Sequence, residues 1–109
     1  KQSTKDSIFV KSNSWLVRLE TGDIYFVEAL KDYVVVNTLK ERYTIHSTMK
    51  DIYRKLPQDE FIRVHRSFIV RLDKISAIEQ QNVILKEDKK IVPVGGAYKE
   101  DLTSKINLV

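Results

Sequence analysis

Phe61-Ile62-Arg63-Val64-His65-Arg66-Ser67-Phe68-Ile69-Val70-Arg71 interleaves strand-forming residues with cations. Ile62, Val64, Phe68 and Val70 share one parity, so in a strand they face one side. Arg66 has that parity too. One uninterrupted strand would turn its guanidinium into the apolar face, and an unpaired buried charge is costly. The pattern therefore predicts a break of phase around His65-Arg66-Ser67. That leaves a basic loop between two strands anchored by Phe61 and Phe68. A rigid scaffold presenting such a loop suits an approach to phosphates or base edges. The same residues also read as a solvated turn among ordinary surface arginines.

Outward from this stretch, short strand-like segments alternate with polar turns. Trp15, Val17 and Leu19 alternate with Leu16, Arg18 and Glu20, and Thr21-Gly22-Asp23 follows as a turn. Residues 24–29 and 33–36 form two more segments around Lys31-Asp32. The β-branched run Val34-Val35-Val36 suits a strand buried on both faces. Tyr43 and Ile45 mark another, and residues 61–64, 68–70, 75–79, 83–85 and 91–94 complete the set. Pro93 places the last at a sheet edge or strand end. Two segments have helical spacing. Met49, Ile52, Tyr53 and Leu56 predict a helix over 48–56, with Thr48 and Asp51 resembling a capping box and Pro57 as the stop. Tyr98, Leu102, Ile106 and Val109 predict a second over 97–108 behind Gly95-Gly96. The expected fold is mainly β with these two helices.

The 109 residues suit one domain, and 42% hydrophobic content is enough for a single core. Without cysteine there is no thiol nucleophile, no Cys-based zinc site and no disulfide framework. Nineteen Lys and Arg against fifteen Asp and Glu give a formal charge of +4, which permits a polyanionic partner without demanding one. No apolar run approaches the roughly 18 residues that span a bilayer. Residues 1–7 are polar, with no signal-peptide pattern, and read as a linker remnant ahead of a domain over 8–109.

The stretch FIRVHRSFIV, residues 61–70, resembles the signature of the LytTR DNA-binding domains of bacterial response regulators. DIYFVEALKDYVVV (23–36) resembles that family's early strand–loop–strand, and IVPVGGAYKEDL (91–102) its final strand and last helix. The resemblance covers roughly residues 8–109. It implies an elongated set of small antiparallel sheets that binds double-stranded DNA through loops. It also implies a receiver domain upstream, a cytoplasmic regulator, no enzyme activity, no cofactor and a weak dimer on paired sites. The implied DNA contacts fall in three places. One is the loop with Lys31, Asp32 and Tyr33. Lys31 is a phosphate or base donor there, and Asp32 repels phosphate unless it accepts from a cytosine amino group. The second is His65, Arg66 and Ser67, with Arg71 behind them. Arg66 can grip guanine O6 and N7. The third is Gly95-Gly96-Ala97, where the Gly95 and Gly96 amides can hold a phosphate supported by Lys99.

The remaining candidates carry less. His46 and His65 are 19 positions apart with no clustered carboxylates, so no metal site is expected. His65 reads better as a group that orders the basic loop by hydrogen bonding, or that touches phosphate. Tyr25, Tyr33, Tyr43, Tyr53 and Tyr98 could stack on bases, but most fall at core-facing positions, as does Trp15. Lys86-Glu87-Asp88-Lys89-Lys90 reads as a hairpin turn without function. Duplex DNA binding predicts the Lys31, Arg66 and Lys99 loops gathered on one side. A β-rich protein–protein interaction module with a basic loop, the alternative, predicts an exposed apolar patch or open strand edge.

Overall fold

The computed structural model describes residues 7–109; most of the expected linker remnant, residues 1–6, lies outside them. The chain runs β1 (Ser7–Ser12), β2 (Trp15–Glu20), β3 (Ile24–Leu30), β4 (Tyr33–Thr38), β5 (Arg42–Ile45), α1 (Met49–Lys55), β6 (Phe61–His65), β7 (Phe68–Arg71), β8 (Ile75–Glu79), β9 (Asn82–Leu85), β10 (Ile91–Pro93) and α2 (Lys99–Lys105). The strands form a β1-β2 ribbon, a five-stranded sheet in the order β5-β4-β3-β7-β6, and a three-stranded sheet in the order β10-β9-β8. Every pairing is antiparallel. The mainly β architecture of small sheets is thus the one expected. Its extents are 44 × 37 × 25 Å. Among the described residues no helix is long and apolar enough to cross a membrane.

The five-stranded sheet is buried on both faces. On one, Ile24, Val27, Val34, Val36, Phe61 and Ile69 pack with Val10 and Leu19 of the ribbon and with Met49, Ile52 and Leu56 at α1. On the other, Tyr25, Phe26, Ile62, Val64 and Val70 pack with Val83, Leu85 and Val92 of the three-stranded sheet and Leu102 of α2. Val34, Val35 and Val36 are accordingly all buried. A register shift between Ile24 and Phe26 lets Ile24 and Val27, three residues apart, serve the same face. Pro93 ends the edge strand β10, where its missing N–H breaks no ladder.

Helix α1 follows its sequence signals. Thr48 Oγ1 accepts from the Asp51 N–H at 3.1 Å, and Leu56 ends the helix before Pro57. Helix α2 is shorter than the 97–108 expected. A 3₁₀ turn, Gly96–Tyr98, precedes it, and Ile106 is already extended with ψ 157°. Leu102 is buried and Ile106 half-buried, but Leu108 and Val109 are exposed, so Val109 leaves the predicted stripe. A helix this short persists only where tertiary packing supports it. Trp15 is also corrected: it is 71% exposed. It has the core-facing parity, but it sits in the last pair of the ribbon, opposite Ser12 and beside the turn. Strand β1 has no counterpart among the segments the periodicity picks out, and Ser7, assigned above to the linker, opens it.

Candidate nucleic-acid interface

Two hairpin turns define the site. Between β3 and β4, Leu30 pairs with Tyr33, leaving the two-residue loop Lys31-Asp32. Both are exposed. Lys31 has φ 52°. Two-residue hairpins favour a positive φ at this position because it matches the strand twist. Asn13 (φ 58°) and Gln80 (φ 35°) take the same place in the β1–β2 and β8–β9 turns.

The β6–β7 turn, Arg66-Ser67, is built differently and has no positive φ. The register shifts between Arg63 and His65. This bulge puts His65 on the side of Val64, with its ring edge-on to Phe68 at 5.7 Å. His65 Nδ1 accepts the Ser67 N–H at 3.1 Å, which assigns the proton of the neutral ring to Nε2. Arg66 is exposed at the tip. The break of phase therefore occurs where Arg66 would otherwise be buried.

Sheet order brings the two turns together. Glu28 of β3 pairs with Phe68 of β7, and the Ala29 N–H donates to the Ser67 carbonyl at 2.9 Å. Both turns therefore lie at one end of the five-stranded sheet. Tyr33 at this end is 47% exposed rather than in the core, its ring edge-on to His46 at 5.2 Å. The segment before α2 joins them: the Gly95 N–H donates to the Val64 carbonyl at 2.8 Å. Tyr98 and His65 both close on Gly95; a Cβ there would meet Tyr98 at 3.1 Å and His65 at 3.7 Å. Lys99 is exposed as the first residue of α2. Lys31, Asp32, Tyr33, His65, Arg66, Ser67, Gly95, Gly96 and Lys99 thus belong to three neighbouring segments.

Two expectations change. Arg71 lies at the far end of β7, opposite Phe61, and its side chain is only 12% exposed. It donates to Glu60 at 2.7 Å, to Asp73 at 2.8 Å and to the Thr21 carbonyl at 3.1 Å. Burial alone would lower its pKa, but the bonds to Glu60 and Asp73 outweigh it and raise it. This arginine braces the fold and is not brought to the loops. The Gly95 amide is likewise committed to Val64, so it cannot hold a phosphate.

Arg63 is the site residue that sequence reasoning passed over. Its Nη2 donates to the Arg66 carbonyl at 2.6 Å and its Nε to the His65 carbonyl at 3.4 Å. Its only signal in the sequence is a cation two positions before the signature histidine. The Lys86–Lys90 turn also has a role, since Glu87 accepts from Tyr25 and anchors the smaller sheet to β3. That bond, then burial, then the charges of Glu87, Asp88 and Asp73 push the Tyr25 hydroxyl up to about 12. Among the described residues no three His, Asp or Glu side chains gather to hold a metal.

The family model of the LytTr DNA-binding domain matches residues 14–107. The sensory transduction protein LytT of Bacillus cereus is 38% identical over 92 residues, covering 80% of this chain and 37% of that protein. The transcriptional regulatory protein YpdB of Escherichia coli is 35% identical over 74 residues, covering 68% of this chain and 30% of that protein. The chain thus spans well under half the length of these relatives. A solved LytTr DNA-binding domain from Bacillus cereus superposes with a TM-score of 0.80 at 25% identity, covering 95% of this chain and 99% of that one.

Proposed function

The chain belongs to the LytTr DNA-binding domain family, and from that premise we propose that residues 8–109 form the sequence-specific, duplex-binding output unit of a bacterial transcription regulator. The observation that carries this reading is the convergence of three segments. The β3–β7 pairing sets the Lys31 and Arg66 turns side by side, and the Gly95–Val64 bond holds the α2 turn next to them.

In this reading Arg66 reads a base, gripping guanine O6 and N7 from the tip of its turn. Lys31 donates to a base or phosphate, and Asp32 beside it accepts from a cytosine amino group and discourages other bases. Tyr33 flanks them. His65 and Ser67 keep the Arg66 turn in shape, Gly96 permits close approach of backbone to DNA, and Lys99 neutralises a phosphate. The two hairpin turns are separated by two interstrand spacings, about 10 Å. Successive major grooves on one DNA face are roughly 34 Å apart. Two turns this close fit within the span of one groove, and contact with a second major groove needs DNA that bends around the domain toward another segment.

The unit is non-enzymatic and works in the cytoplasm, below a receiver domain, pairing weakly on repeated half-sites. The alternative, an interaction module with a basic loop, predicts an exposed apolar patch or an open strand edge. The exposed Phe9, Trp15 and Leu16 on the β1-β2 ribbon are the surface that favours it.

Fluorescence anisotropy with random and selected duplexes over a salt series tests the reading. Affinity should fall steeply with salt, because Lys and Arg displace condensed counterions. Absence of binding to any duplex at low salt would overturn it.

A further inference from the structure

We propose that Arg63 is a positioning residue that sets the Arg66 turn and couples it to the turn ahead of α2. The inference rests on the reading of Arg66 as a base contact. The β1–β2, β3–β4 and β8–β9 two-residue turns each hold their shape with a left-handed residue, Asn13, Lys31 or Gln80. The Arg66-Ser67 turn has none, so its backbone conformation is held from outside. His65 Nδ1 takes the Ser67 N–H on one side. The Arg63 guanidinium takes the consecutive carbonyls of His65 and Arg66 on the other.

The same guanidinium lies 5.9 Å from the Tyr98 ring, and Tyr98 packs against Gly95. One side chain therefore reaches two of the three segments gathered at the interface. Arg63 stands on β6, an edge strand of its sheet, so no strand on its outer side holds the turn. It makes no ion pair among the described residues. Its planar fork is spent on two carbonyls, a geometry the single ammonium of lysine does not reproduce.

The test compares Arg63→Lys, Arg63→Ala, Arg66→Ala and the double variant Arg63→Ala/Arg66→Ala. In the free domain, Arg63→Lys should speed amide exchange at Ser67 and Gly95 by about tenfold, the loss of a charge-assisted bond. Exchange at Val27 and Val34 in the sheet centre should not change. On DNA, Arg63→Lys should lose discrimination between selected and random duplexes to the extent that Arg66→Ala does. Its affinity for random duplex and its salt slope should stay as in the parent, because the charge is kept. In discrimination between selected and random duplexes the double variant should be no worse than Arg66→Ala, because one residue acts through the other. Unchanged exchange at Ser67, parental discrimination in Arg63→Lys, or additive losses of discrimination in the double variant would each overturn the proposal. A parent domain that prefers no duplex would overturn the base-reading role of Arg66 instead, while exchange at Ser67 still decides whether Arg63 holds the turn.

Discussion

Gly95 donates its N–H to the carbonyl of Val64, the residue just before His65. This bond joins the segment leading into α2 to the strand leading into Arg66. Two stretches far apart in sequence thereby become one surface. Neither Gly95 nor Gly96 has a positive φ, so what matters at each is space and not backbone freedom.

Gly95→Ala and Gly96→Ala should therefore part company. An added Cβ at Gly95 meets Tyr98 at 3.1 Å, whereas at Gly96 nothing lies within 4 Å. Urea unfolding should show Gly95→Ala destabilised by about 1–2 kcal/mol, as for a forced shift in a packed site. Gly96→Ala should leave stability unchanged or raise it by about 0.4–1 kcal/mol through the unfolded chain. A loss of DNA affinity in folded Gly96→Ala would place a backbone approach at that residue.

Arg71→Ala should damage the fold and not the reading of DNA. Its guanidinium satisfies Glu60, Asp73 and the Thr21 carbonyl, and it lies 5.4 Å from the Phe61 ring. Glu60 and Asp73 are partly exposed and regain water, so the expected cost is about 1–3 kcal/mol, below that of a fully buried pair. Under conditions where the variant is fully folded, its ratio of specific to random affinity should equal the parent's. A changed ratio would return Arg71 to the interface.

Tyr25 offers a pH test. Its hydroxyl is pushed up to about 12, first by the bond to Glu87 and then by burial and neighbouring negative charge. A pKa raised by folding favours the protonated form in the native state. That contribution is complete below the unfolded value near 10 and disappears as the pH rises toward about 12. Burial also raises Tyr53, and the bond to Glu41 raises Tyr43, so absorbance titration should show a late tyrosine component that loses its latest part in Tyr25→Phe. The fall in stability between about pH 10 and 12 should be shallower in that variant.

Leu102 is the buried side chain through which α2 docks on the Ile62/Val64/Val83 side of the core. Leu102→Ala should cost about 2–5 kcal/mol in urea unfolding. No measurable change would mean that α2 stands free of the core.

The fold was legible where a local pattern and tertiary burial agree. The valine run of β4, the Thr48 cap and the parity conflict at Arg66 each point to the structure observed. Legibility fails where a side chain's fate depends on distant chain. Trp15 has core parity but stands at the end of a ribbon, and Val109 keeps helical spacing beyond the last surface on which α2 can pack. The site divides in the same way. Arg66 is exposed because burying it is costly, which its neighbours in sequence already imply. Arg71, five residues on in the same motif, is bound by Glu60, Asp73 and Thr21, and only the folded topology brings Thr21 and Glu60 to it. Arg63 is ambiguous in a strand pattern until the bulge at His65 turns two carbonyls toward it.

Arg66 and Lys99 should differ in how their loss affects DNA binding. Arg66 stands at the tip of a turn held by His65, while Lys99 opens α2, where a phosphate is the natural partner. Arg66→Ala should cost roughly 1–3 kcal/mol on a selected duplex and relax discrimination at one base pair. Lys99→Ala should weaken all duplexes alike and lower the salt slope by about one. Thermal melts of both variants come first, because the Arg66 carbonyl is part of the turn and its side chain must be shown not to be. Equal losses on selected and random DNA for Arg66→Ala would reduce Arg66 to a phosphate contact. Base reading would then pass to Lys31, the exposed cation of the neighbouring turn, and Lys31→Ala would be the variant that relaxes discrimination.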